Sequence, residues 1–94
     1  MTTLHIEHAI TDFPTWQGAF QRFEQARTSA GVLRHRIFRP VDDPKYVVIE
    51  LDFNSAVEAQ AMLDFLRAQV WSSPATAPAL VGAPKARILE PVAQ

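Results

Sequence analysis

The chain has 94 residues, 48% of them hydrophobic and 20% charged, a net charge of −1 and no cysteine. That length predicts a single domain over residues 1–94, and the apolar fraction excludes a disordered chain. The missing cysteines exclude disulfides, thiolate catalysis and Cys-ligated metal centres, and the near-neutral charge gives no pull toward nucleic acid or anionic membrane.

Residues 3–9, TLHIEHA, alternate: Leu4, Ile6 and His8 take one side, and Thr3, His5 and Glu7 the other. That is the period of a β-strand. The start MTTLHIEHAITDF has neither the basic start nor the apolar run of a signal peptide. No stretch reaches the roughly 18 consecutive apolar residues of a membrane span. A cytoplasmic protein without membrane contact is the expectation. Asp12 can cap a helix, and Pro14 fits its first turn. Phe13, Trp16, Phe20 and Phe23 follow at spacings of three and four, so an amphipathic helix is predicted up to Gly31.

Residues 32–40 and 46–53 are predicted as strands joined by the turn VDDPK. Ser55 and Glu58 have the spacing of a capping box, and Ala59, Met62, Leu63, Leu66 and Val70 form the stripe of a second helix that ends at Trp71. The Pro- and Ala-rich residues 72–84 predict a long loop, with one short helical turn at 76–80. Residues 85–91, KARILEP, predict the last strand. The order βαββαβ predicts an α+β, ferredoxin-like domain: a four-stranded antiparallel sheet with two helices on one face.

The hairpin carries Arg34, Arg36, Arg39, Glu50 and Asp52 among its apolar residues. A five-residue loop from Val41 to Lys45 places Arg36 opposite Glu50 and Arg34 opposite Asp52. The sheet then has one apolar face for the helices, including Leu33 and Ile37. Its other face mixes those charges with Phe38, Tyr46, Val48 and Leu89. That face is too apolar for a solvated sheet and too balanced in charge for phosphate. RNA binding is not expected, because Glu50 and Asp52 would repel the backbone.

The element order, the start Asp12-Phe13-x-x-Trp16, the Asp42-Asp43-Pro44 hairpin and Phe53-Asn54-Ser55 leading into an Ala-rich helix carry a resemblance. Over essentially the whole chain they resemble the antibiotic-biosynthesis-monooxygenase-like group of the dimeric α+β barrel superfamily. The resemblance implies a homodimer packed sheet to sheet, with a small-molecule pocket between each sheet and its helices. Members include cofactor-free oxygenases, haem-degrading enzymes and isomerases. The haem-degrading members use an Asn, a Trp and a His. Here the sole Asn is Asn54 and no His follows Trp71, which argues against haem degradation. Nor does the sequence hold a complete polar set matching the quinone-forming oxygenases.

His5 and His8 look like a metal pair, but residues three apart on a strand face opposite ways. No carboxylate is expected to cluster beside them, so no metal site is predicted. The register puts His35 on the apolar face near Leu51, beneath the helices, either as a general base or as a structural histidine. Trp16, Phe20 and Trp71 either hold a flat aromatic ligand or fill the core. Two functional readings stay open. One is a cofactor-free oxygenase, cyclase or isomerase acting on an aromatic or polyketide-like compound. In it Trp16, Phe20 and Trp71 bind, His35 moves a proton and Arg39 stabilises an oxyanion. The other is a non-catalytic ligand-binding or structural homodimer.

Overall fold

The computed structural model describes residues 1–93. Strand β1 spans Thr2–Ile10, helix α1 Phe13–Arg22, helix α2 Glu24–Ser29, strand β2 Arg34–Phe38 and strand β3 Tyr46–Phe53. Helix α3 spans Ala56–Phe65 and runs into a π-helical turn at Leu66–Val70, and strand β4 spans Leu80–Leu89. The strands pair antiparallel in the order β2-β3-β1-β4. This is the ferredoxin-like arrangement.

Local chemistry explains the boundaries. The Asp12 carboxylate accepts from the Thr15 amide at 2.8 Å and starts α1. The Ser55 hydroxyl accepts from the Glu58 amide at 3.3 Å and starts α3. The predicted first helix is two helices, broken at Phe23. Gly31 ends α2 at φ +97°, where a Cβ would also stand 2.5 Å from the Glu58 carboxylate.

Strand β1 buries every second residue: Thr2, Leu4, Ile6, His8 and Ile10. Its alternation meets that of β3, and Leu4, Ile6, Val47, Ile49, Leu51 and Phe53 form the sheet side of the core. Trp16, Ala59, Met62 and Leu63 close it from the helices. The hairpin has the expected register, with Arg34 opposite Asp52, His35 opposite Leu51 and Arg36 opposite Glu50. Leu33 departs from expectation. It precedes the edge strand β2 and is 51% exposed rather than packed under a helix.

The last strand is longer than predicted. Leu80 and Val81 already pair with Ile10 and Ala9, and the ladder then shifts between Glu7 and Ala9 before Lys85 pairs with Glu7. Gly82, at φ +72°, Ala83 and Pro84 form this irregularity, opposite His8. Gly and Pro therefore mark a bulge on an edge strand, where a proline removes no needed ladder bond.

Candidate functional site

A cavity of about 90 Å³ lies between the helices and the sheet. Trp16 and Phe20 of α1 stack at 4.9 Å between ring centroids and form one wall. Leu66, Val70 and Trp71 form another. There the Trp71 amide donates to the Leu66 carbonyl at 2.7 Å, five residues back. That wider turn re-aims the end of the helix, a device common beside functional sites. Ile49 and Leu51 give the floor, and the segment from Thr76 to Leu80 the rim. The Thr76 hydroxyl donates to the Val70 carbonyl at 2.6 Å and so ties the rim to the π-helical turn.

Trp16, Phe20 and Trp71 thus share one cavity, whereas His35 and Arg39 do not line it. His35 keeps the predicted side of β2 and meets the Phe20 ring edge-on at 5.4 Å. It is nonetheless exposed, because β2 is an edge strand that the helices leave uncovered. Its expected place beneath the helices is corrected accordingly. The Arg39 guanidinium stands over the Phe13 ring at 4.5 Å, also at the exposed edge.

Two polar groups that the sequence reading did not assign to a ligand site line the cavity: His8 and Arg27. His8 is 5% exposed and Arg27 7%. Alternation placed His8 on the buried side, which was the available signal. Arg27 gave none, because a charged residue in a helix reads as solvated. It lies beyond the break at Phe23, and its Nη1 donates to the Phe20 carbonyl at 2.5 Å. Its guanidinium carbon stands 3.6 Å over the Phe20 ring.

The opposite sheet face carries a polar network. Arg36 binds Glu50 at 3.0 Å and Asp52 at 2.9 Å, and Arg34 and Thr3 also bind Asp52. Arg36 above all, joined by Thr3 and Arg34, holds the Asp52 carboxyl down to about 2. His5 joins Glu7 at 2.9 Å to Glu50 at 3.1 Å, and Tyr46 donates to Glu7 at 2.8 Å. Carboxylates therefore do flank His5, contrary to the expectation that none would. Each ring nitrogen faces a carboxylate, however, and no group of three or more metal-ligating side chains among the described residues could hold an ion. No helix among them is long and apolar enough to cross a membrane.

No family model and no curated protein matches the chain in sequence. Solved structures do match it in fold. A Nitrosomonas europaea protein assigned as an antibiotic biosynthesis monooxygenase superposes with a TM-score of 0.72 at 16% identity, covering 99% of this chain and 100% of the other. SnoaB, a cofactor-independent oxygenase from Streptomyces nogalater, superposes at 0.70 with 15% identity, covering 99% and 94%. A dimeric ferredoxin-like protein from an uncultured marine organism superposes at 0.60 with 14% identity, covering 94% and 90%. The chain has the fold of the antibiotic-biosynthesis-monooxygenase-like proteins, as its sequence resemblance implied.

Proposed function

We propose that the protein is a homodimer that binds a small aromatic molecule between its helices and sheet, as a cofactor-independent oxygenase or a related isomerase. The observation that carries this reading is the apolar cavity walled by the stacked Trp16 and Phe20 and by Trp71. Stacked aromatic walls suit a flat ligand. About 90 Å³ far exceeds the roughly 10–15 Å³ that one water needs and falls below the ~300–1,000 Å³ of drug-sized pockets. Size therefore favours one ring over a polyketide-like polycycle. The likeness in fold to a cofactor-independent oxygenase supports the choice of chemistry.

The alternative is a ligand-binding homodimer without catalysis. It is favoured by the exposed positions of His35 and Arg39, which leave the cavity without the acid–base pair proposed from sequence. Thermal-shift titration with single-ring aromatics, followed by oxygen-uptake assays on those that bind, separates the readings. Stabilisation by aromatics that is lost in Trp71→Ala supports the binding site, and ligand-dependent oxygen uptake supports the oxygenase. Stabilisation without turnover of any bound compound leaves the binding protein. No stabilisation by any aromatic overturns both.

A further inference from the structure

His8 sits where β1 meets the bulge of β4. Its Nδ1 lies 2.9 Å from the Ala9 carbonyl oxygen. A carbonyl only accepts, so Nδ1 carries the hydrogen. Burial pushes the ring's pKa below its ordinary value, against the opposing pull of the Ala9 bond. The resting imidazole is therefore neutral, and Nε2 presents a lone pair. No fully enclosed side-chain nitrogen or oxygen among the described residues lacks a partner. Nε2 has no protein partner, so it is not fully enclosed, and His8 is one of the residues that line the cavity.

Arg27 supplies the complementary feature. Among the described residues no carboxylate lies within ion-pair distance of its buried guanidinium. The Phe20 carbonyl and ring satisfy it in part. Burial lowers the Arg27 pKa against the charge of Glu24, which acts from beyond ion-pair distance, and an anion in the adjoining cavity would offset the remaining cost of burying the cation. His8 and Arg27 are the titratable residues of the cavity lining.

We propose that the cavity takes a single-ring phenol or enol whose hydroxyl proton passes to His8 Nε2 while Arg27 holds the resulting oxyanion. The inference rests on the binding reading above and names its ligand class. The O–H bond breaks, an N–H bond forms at Nε2, and the oxygen keeps the electron pair, so no oxidant is required. The oxyanion beside the ring supplies the charge that stabilises an imidazolium in a buried place. A carboxylic acid fits less well, because its carboxylate brings no proton for Nε2.

The test is an absorbance titration with 4-nitrophenol, at a pH where the free compound is mostly protonated. 4-Nitroanisole and 4-nitrobenzoate serve as controls. The proposal expects the phenolate band to appear on binding and the anisole to bind about tenfold more weakly or worse. His8→Gln should bind without the band, and Arg27→Met should lose both band and affinity. Arg27→Lys, which keeps a cation, should retain part of each. Circular dichroism confirms that each variant folds. A bound but protonated nitrophenol, a phenolate band that survives His8→Gln, or nitrobenzoate binding more tightly overturns the proposal. Equal binding of phenol and anisole overturns it while leaving the cavity as an aromatic site. If none of the three binds, the binding reading falls with it.

Discussion

Two histidines three residues apart on one strand face opposite environments. Their titrations should therefore oppose each other. His5 lies between two carboxylates, and the Glu7 bond, resisted by burial and reinforced by Glu50, raises its pKa above the ordinary 6.5. A raised histidine contributes stability that is complete below about 6.5 and is lost as pH rises through the folded value. His8 is lowered from 6.5 by burial. Its contribution is complete above about 6.5 and is lost as pH falls through the folded value. Denaturation midpoints measured from about pH 5 to pH 8 should show His5→Gln removing a loss on the alkaline side. His8→Gln should remove one on the acidic side. Slopes of the same sign in the two variants would contradict the assignment of either environment.

Among the elements, the hairpin was the most legible. Its turn residues fixed a five-residue loop, alternation fixed the faces, and opposite charges then fell opposite each other. What the sequence hid was the third dimension of the network. Arg36 reaches past Glu50 to Asp52, which is 1% exposed although it sits on the face away from the helices. A double-mutant cycle should accordingly find Arg36→Met coupled more strongly to Asp52→Asn than to Glu50→Gln. Equal couplings would contradict that ranking, and no coupling of Arg36 to Asp52 would mean that Arg34 and Thr3 alone hold it. Asp52→Asn by itself should cost on the order of 2 kcal/mol at neutral pH, the worth of a carboxyl held down to about 2. The wild type should lose that contribution as pH falls from about 4 through about 2. The elements that resisted reading have a common cause. The break at Phe23, the π-helical turn before Trp71 and the early start of β4 are irregularities of five residues or fewer, and periodicity over a longer window averages them away. All three contribute residues to the cavity lining, and Arg27 lies just past the break. Trp16, Phe20 and Trp71 could be picked out by residue type. The polar groups beside them depended on local backbone that no pattern announces.

For the whole molecule, the free face of the sheet is the feature that asks for a partner. Phe38 is 49% exposed and Leu89 41%, and they flank a network whose charges already neutralise one another. The Arg34, Arg36, Glu50 and Asp52 part of that face can be buried without stranding a charge, whereas Lys85 and Arg87 stand exposed on its β4 side. Light scattering at micromolar concentration should give about twice the 10.5 kDa of one chain. A monomer there would remove the sheet-to-sheet dimer from the proposal. The cavity is a separate matter, because it lies on the other side of the sheet. The chain has two tryptophans, and both line it. Their indole N–H resonances are thus reporters on two elements of the cavity lining. The most direct test is a proton–nitrogen NMR titration with a single-ring phenol. The account predicts that the Trp16 and Trp71 indole signals shift together and saturate at one dissociation constant. Indole signals that stay in place while the phenol is added in excess would contradict it.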